Sequence, residues 1–546
     1  MKYTDKYTIT SLYWDRIWIY FEIKADGQNP PDSFSPYIIN EAGNYKAYLR
    51  KENPGIYKLN ITNPGNCKML PVGIYYVSYD SDKSESAYID YSSPEHINAR
   101  SENKHFVYFH AEREYRIQFK DRGGFKFRAA DNIRTDIRII YRLRTPFVRK
   151  RHEIAKVVLR TVYNTFYYIY NDAPFSHPKK DSILLFNDQS EEIASNMEAL
   201  KEALIKNGYK PEESFRAITT KHYGVLHWLK TLRKIARAKY IFMDDHCQTT
   251  DWLPIKGAVI TQIWHAGAGF KSTGYSRFGH TASPAPESGH RQYTYGIAGS
   301  RKIRHFFSEV WGINDSMVLP AGMPRLDEYL DPKYRAKTTE ELLHKFPILS
   351  KRVILFAPTY RGENKKHAYY PYEMIDFDRL YEVLQKTNSV FIFKMHPFIS
   401  EPVPIPKKYS DRMYDISSYP NINDLFYVTD LLITDYSSNI YEFSLMRKPM
   451  LFFAYDIDAY SNSRGFHRDY RSNVPGKITE TFDEMCDAIL NEDFEYEKVH
   501  EYVENNFEKT DSHACDRIID WIIKGNLPQE YKDEIEQELK NVVINP

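Results

Sequence analysis

Apolar and polar positions along this chain follow two regimes. Up to about residue 143 the apolar residues form short, aromatic and β-branched runs at 17–23, 57–61, 74–79, 106–110 and 115–119. Turn signals such as Asn63-Pro64-Gly65-Asn66 and Arg122-Gly123-Gly124 separate them. Short strands at this spacing predict a sandwich or barrel. From about residue 180, strand-like runs alternate with helical periodicity. A run at 182–186 precedes a helix marked by Ile193, Met197, Leu200 and Leu204 that stops near Gly208, and further strands are expected at 240–243 and 258–263. After residue 350 the alternation resumes, with apolar runs at 353–357, 377–384, 390–393, 431–434 and 450–453. Such alternation predicts parallel sheets with crossover helices, here an α/β pair of Rossmann-like lobes divided near 330–350, behind an N-terminal all-β domain.

Between the regimes, residues 142–170 set seven basic side chains (Arg142, Arg144, Arg149, Lys150, Arg151, Lys156 and Arg160) against one acid, Glu153. Ile154, Val157, Val158, Phe166 and Ile169 recur there at helical spacing. A basic amphipathic helix suits an anionic membrane surface; the same pattern also fits an interdomain helix packed on a neighbour.

Composition narrows the class. With 74 Lys and Arg against 73 Asp and Glu, the chain carries no charge excess that would select a polyanion, so nucleic acid is not an expected partner. Its 546 residues are enough for roughly three to four domains of ~150 residues. Aromatic residues make up 15%, 45 of them Tyr, which core and strand packing mostly accounts for. Cys67, Cys247, Cys486 and Cys515 have neither CxxC nor zinc spacing and are expected as reduced thiols of a cytosolic protein. No signal peptide is expected at the N-terminus, and no apolar run reaches the ~18 residues that span a bilayer.

Candidate chemistry gathers at strand ends, where parallel sheets place ligand-binding groups. The run 431–434 ends in Asp435-Tyr436-Ser437-Ser438, two hydroxyls where a helix is expected to begin and hold phosphate; Glu442, one turn on, is placed to face the same cleft. The run 390–393 ends in Lys394-Met395-His396-Pro397, with Pro397 restricting His396. A third strand runs into His265, followed by Gly267, Gly269 and Lys271; His is the usual general base near neutral pH. Arg361 follows the strand end at Ala357-Pro358-Thr359 and offers a bidentate fork for phosphate. Asp456 and Asp458 could seat Mg²⁺ but lack the rest of a ligand set, and Arg464 could close over a diphosphate.

Taken together, Trp264-His265-Ala266 with Phe270-Lys271 and Gly274-Tyr275-Ser276-Arg277, then Ala357 to Gly362, Lys394 to Pro397, Asp435 to Ser438, and Lys448-Pro449 through Asp456 to Arg464, resemble the CDP-glycerol glycerophosphotransferase family of teichoic-acid and capsule polymerases. The resemblance covers about 180–525, and its forms look most like the branch that includes ribitol-phosphate transferases. It implies a GT-B-like pair of lobes, 173–340 on the acceptor side and 341–530 binding the CDP-polyol; the residue patterns leave 1–143 as a β-rich domain, 144–172 as a basic linker helix and 531–546 as a tail. It implies transfer of glycerol or ribitol phosphate from CDP-glycerol or CDP-ribitol to a lipid-linked acceptor at the cytoplasmic membrane face, with release of CMP and with no metal or other cofactor. A homo-oligomer stays open. By match, His265 is the base and His396 the second catalytic residue, a donor to the phosphate or the leaving group; Lys271, Arg361, Lys394, Asp435, Ser437, Ser438 and Arg464 are substrate-binding groups, with cytosine near Pro397 and 412–424. A GT-B glycosyltransferase or sugar-nucleotide epimerase is the other enzyme class that two such lobes would suit.

Overall fold

The computed structural model describes residues 3–80, 86–92, 105–108, 113–120, 122–131, 139–176, 181–216, 224–278, 283–362, 365–540 and 542–544. Within them the chain is mixed α/β, built on three sheets.

Among the described residues the N-terminal part supplies eleven strands of a twelve-stranded sheet. Its longest strand, Tyr3–Asp15, pairs antiparallel with Trp18–Ala25 and parallel with Ser86–Tyr91. Alternating residues point inward, as Tyr45–Tyr48 shows with every second side chain buried. The core they form holds Trp14, Phe21, Tyr75 and Phe125, and it also takes in Phe278 from the α/β part. That insertion, the Arg291 Nη2 bond to the Thr62 carbonyl (2.7 Å) and the Arg50–Asp315 ion pair (2.8 Å) fasten the β part to the first α/β lobe.

Each α/β lobe is a six-stranded parallel sheet. The first runs Glu212–Phe215, Ile183–Asn187, Tyr240–Met243, Val259–Gln262, Tyr295–Ile297, Val318–Leu319. The second runs Met413–Asp415, Ser389–Phe393, Arg352–Phe356, Leu431–Thr434, Met450–Phe453, Lys477–Thr479. Ile183–Asn187 and Ser389–Phe393 are buried at every position, as strands covered on both faces must be, which is why they read as unbroken apolar runs. In the second sheet the chain order reverses between Arg352–Phe356 and Leu431–Thr434. A crevice opens at the carboxyl ends of such a switch point.

The two lobes are joined by side chains that interlock. Tyr441, fully buried on the short helix Ile440–Ser444 of the second lobe, fits against Gly267 and Gly299 of the first; a Cβ at Gly267 would lie 2.4 Å from its ring, and one at Gly299 would lie 2.1 Å from its hydroxyl and 2.3 Å from the Asn506 carbonyl. Alongside, Lys271 and Phe466 form an antiparallel bridge across the lobes, and His467 N–H donates to the Phe270 carbonyl at 2.7 Å.

Two expectations are corrected here. Residues 514–530, assigned to the second lobe, return to the first: Ile518, Ile519, Ile522 and Ile523 pack with Ile183, Leu185 and Met197. The segment 531–546 is not a bare tail. It holds most of the helix Gln529–Lys540 and the strand Val542–Ile544, which pairs antiparallel with Tyr45–Tyr48 in the N-terminal sheet. Hydrophobic burial decides the first, since the apolar side chains at 518, 519, 522 and 523 join the first lobe's core, and backbone pairing decides the second.

The interlock sets a stability expectation. Gly299→Ala should destabilise the protein by about 1–3 kcal/mol through overpacking. Tyr441→Phe, which removes a buried hydroxyl that has no hydrogen-bond partner among the described residues, should be neutral or stabilising. Urea melts of the two variants against the parent chain check both signs.

Candidate active site

The carboxyl ends of the two sheets face each other across a cleft of ≈ 1150 Å³. From the first lobe it is lined by His265, Lys271, Ser272 and Arg277, and from the second by Tyr360, Arg361, Ser437, Ser438 and Asp456. Five of the residues expected from sequence thus meet in one place: His265, Lys271, Arg361, Ser437 and Ser438.

His265 is exposed at the end of the loop that leaves Val259–Gln262. Its Nδ1 lies 3.2 Å from the Asp244 carbonyl oxygen, which can only accept, so Nδ1 carries the proton and Nε2 keeps its lone pair. Asp244 directly follows the neighbouring strand Tyr240–Met243 and is itself held by Asn187 Nδ2 at 2.7 Å. Trp264, just before His265, has φ 50°, a left-handed conformation that costs a bulky residue about 1–3 kcal/mol and persists only when its surroundings impose it. Gln262 Oε1 accepts from its N–H at 3.0 Å, and Asn196 Nδ2 donates to its carbonyl at 2.6 Å.

On the other side, the helix begins later than expected, at Ile440, and is five residues long. Ser437 Oγ accepts from Asn439 N–H at 3.2 Å, a local turn that leaves both serines on the cleft wall. Beside them Ser272 Oγ is buried with no hydrogen-bond partner among the described residues. Ser272 and Arg277 were missed as site residues; Arg277 lies in the Gly274-Tyr275-Ser276-Arg277 motif, and only the fold shows that it turns into the cleft.

Arg361 lines the cleft, but its fork is already occupied. Nε and Nη2 bond Asp456 at 2.6 and 2.9 Å, and Nη1 meets the Thr359 carbonyl at 2.9 Å and Asp435 at 3.0 Å. Burial opposes its charge, yet Asp435 and Asp456 hold its pKa above the usual value. The expected phosphate clamp is therefore an internal brace. Asp435 likewise faces inward, accepting from Thr359 N–H and Oγ1 at 2.8 Å each. Asp456 also accepts from the Tyr436 hydroxyl at 2.9 Å, which removes the Asp456/Asp458 pair as a cation site.

Three further expectations change. Glu442 is 2% exposed and paired with Arg325, so it does not face the cleft. Lys394 is buried and donates to the Ser417 carbonyl at 2.9 Å, while Pro397 is exposed; neither lines the cleft. Arg464 ends the helix Ile457–Arg464, and its side chain lies outside the described residues. His396 stands behind Tyr360, ring centroids 4.7 Å apart. Burial, then the charges of Lys271 and Lys394, push its pKa down to about 4. Its Nδ1 accepts from Phe398 N–H at 3.2 Å, so near neutral pH it is an uncharged ring with Nε2–H to donate.

His246, Asp251 and His290 also cluster close enough to suggest a metal. The two rings, however, lie face to face, 3.6 Å apart and 9° from parallel. Planes so nearly parallel meet only far beyond bonding distance, so the in-plane lone pairs of both rings do not converge on one ion; they serve instead in a network with Ser288 and Tyr293.

The depressed His396 pKa predicts a pH effect. A folded-state value near 4, below the unfolded value of about 6.5, contributes stability above pH ~6.5 that is lost as pH falls toward 4. Thermal melts from pH 7 to 4.5 should therefore show a smaller loss for His396→Gln than for the parent; an equal loss refutes the assignment.

Comparison with known proteins agrees with this geometry. The family model described as CDP-Glycerol:Poly(glycerophosphate) glycerophosphotransferase matches residues 169–524, more than half of the chain. Teichoic acid ribitol-phosphate polymerase TarL of Staphylococcus aureus (strain NCTC 8325 / PS 47) is 31% identical over 556 residues, covering 94% of this chain and 98% of TarL. Teichoic acid poly(ribitol-phosphate) polymerase of Bacillus spizizenii (strain ATCC 23059 / NRRL B-14472 / W23) is 37% identical over 384 residues, covering 69% of this chain and 61% of that one. Among solved structures, the wall teichoic acid polymerase TagF matches with a TM-score of 0.50 at 21% identity, covering 71% of this chain and 98% of that one, which is a likeness of fold. With a family match of this extent and a relative this similar along its whole length, the chain belongs to the CDP-glycerol:poly(glycerophosphate) glycerophosphotransferase family.

Proposed function

We propose that this protein, by family a CDP-polyol phosphotransferase of teichoic-acid synthesis, moves ribitol phosphate from CDP-ribitol to the hydroxyl end of a lipid-linked acceptor and releases CMP. The observation that carries ribitol is the likeness to TarL, which extends over 94% of the chain and so takes in the N-terminal β part that the family model leaves out. The opposed parallel sheets support reading residues 173–340 and 341–513 as a GT-B-like pair, acceptor side and donor side, with the β part as an accessory domain.

The attacking group is a neutral hydroxyl and must lose a proton as it meets phosphorus. His265 takes it on Nε2, while Nδ1–H stays on the Asp244 carbonyl and stabilises the imidazolium as it forms. Charge grows on the phosphoryl oxygens and on the departing CMP. Lys271, Arg277, and the hydroxyls of Ser272, Ser437 and Ser438 line the space where that charge develops, and His396, outside that lining and packed on Tyr360, keeps Nε2–H as a donor behind it. Arg361 acts one step removed: by bracing Asp435 and Asp456 it fixes Tyr436 and the serine turn before substrate arrives.

No helix among the described residues is long and apolar enough to cross a membrane. The helix Ile139–Tyr167 nevertheless turns apolar side chains outward: Ile154, Val157 and Val158 are 65%, 59% and 55% exposed at i, i+3, i+4 spacing. Val225 and Leu226 on the adjacent helix Val225–Arg237 are exposed as well. Lys156 and Arg160 lie on the same helix. This surface suits an anionic bilayer at the cytoplasmic face, where a lipid-linked acceptor would be presented.

Purified protein should release CMP from CDP-ribitol in the presence of acceptor, with mass analysis showing added ribitol phosphate. CMP from CDP-glycerol alone would overturn the ribitol assignment, and nucleotide release from UDP-sugars alone would overturn phosphotransfer. His265→Ala should lower turnover by about 10²–10⁴-fold. Replacing Ile154, Val157 and Val158 together by Glu should reduce sedimentation with anionic vesicles; unchanged sedimentation would count against the membrane surface.

A further inference from the structure

Arg325 and Glu442 form an ion pair across the two lobes, and neither side chain lines the cleft. Arg325 Nε donates to Glu442 Oε1 at 2.9 Å, and Nη2 bonds the same oxygen. The remaining guanidinium nitrogen, Nη1, donates to the His265 carbonyl at 2.9 Å. The Arg325 backbone N–H donates to Asn196 Oδ1 at 3.1 Å, and Asn196 Nδ2 holds the Trp264 carbonyl. One continuous chain, Asn196–Arg325–Glu442, thus holds the carbonyls of two consecutive residues, the left-handed Trp264 and His265 itself.

We propose that Arg325 is a positioning residue for His265, and that it takes its own orientation from Glu442. The proposal rests on His265 being the base. Trp264 is in a conformation that its own chemistry disfavours. Releasing either carbonyl would let this peptide relax and carry the imidazole away from the Asp244 oxygen that fixes its tautomer. Glu442 in turn follows Tyr441, the residue seated between Gly267 and Gly299, so the carboxylate reaches Arg325 only when the lobes are docked. Ser437 and Ser438 lie just upstream on the same segment. Docking therefore sets the base and the cleft serines through one frame, and the buried carboxylate expected to face the cleft orients the base from behind.

The test uses the full chain with Arg325→Ala, Arg325→Lys, Glu442→Gln and the Arg325→Ala/Glu442→Gln double variant. CMP release gives kcat and KM for the CDP-polyol, and ¹⁵N NMR of labelled histidine rings, with His265 assigned by difference from His265→Ala, reads its tautomer. Arg325→Ala should lower kcat by about 10- to 100-fold, the scale of a misplaced reacting group, while KM stays within about threefold. The His265 Nδ1–H signature should be lost, and the double variant should be no slower than Arg325→Ala alone, as expected for residues acting as a unit. Arg325→Lys keeps charge but not the fork and should show the same loss of kcat, which settles the matter if the alanine variant fails to fold. A kcat drop below about threefold, a change confined to KM, or an unchanged tautomer in the folded variants would overturn the proposal. If the parent chain releases CMP from no CDP-polyol, the transfer reading fails instead, and the tautomer comparison still decides whether Arg325 orients His265.

Discussion

Tyr441 reaches from the second lobe into a slot of the first whose walls are Gly267 and Gly299. Two parallel sheets each offer a crevice at their carboxyl ends, but a crevice alone is half a site. A phosphoryl group must be met from one side by a hydroxyl and its base, and from the other by groups that take up charge. The residues proposed for those two roles, His265 and Ser437, lie about 170 residues apart in sequence. What sets the distance between them is how deeply one buried ring sits between two residues without side chains. A side chain in either glycine position would press on that ring and strain the contact between the lobes.

Within the second lobe the same economy of means applies to charge. Arg361 has Asp435 and Asp456 against it and Tyr436, Tyr455 and Tyr460 around it, within 5.2–5.7 Å of their rings. A guanidinium so enclosed is not free to follow a substrate. It braces the loop behind the serines, and among the described residues Lys271 and Arg277 of the opposite lobe also place cations on the cleft wall. In the proposed reaction those two cations and His265 come from the same lobe.

Much of this was legible in the residues. The strands predicted at 240–243, 431–434 and 450–453 match Tyr240–Met243, Leu431–Thr434 and Met450–Phe453, because fully buried strands leave unbroken apolar runs. His265, Lys271, Ser437 and Ser438 could be found because strand ends are where such sheets place ligands. Arg361, Asp435, Lys394 and Glu442 were expected to touch substrate because charged residues at strand ends usually face solvent. Each instead found a buried partner from a distant segment: Asp456, Thr359, Ser417 and Arg325. Sequence shows that a charge is present; it does not show what lies opposite once the chain is folded. The return of 514–523 to the first lobe was hidden for a related reason, since an apolar helix face does not announce which core it will join.

The strand Val542–Ile544 borders Tyr45–Tyr48 in the N-terminal sheet, with nearly the whole chain between them. During synthesis on the ribosome, that border strand emerges long after the sheet it completes. Until then Tyr45–Tyr48 presents unpaired backbone groups along its outer side, the kind of open edge that recruits other strands. The β part is thus available early for docking on the first lobe, yet its final seam closes only when both lobes have been made. Growing chains would need that seam shielded, and a crowded polysome of this protein would be the place where neighbouring copies could exchange strands.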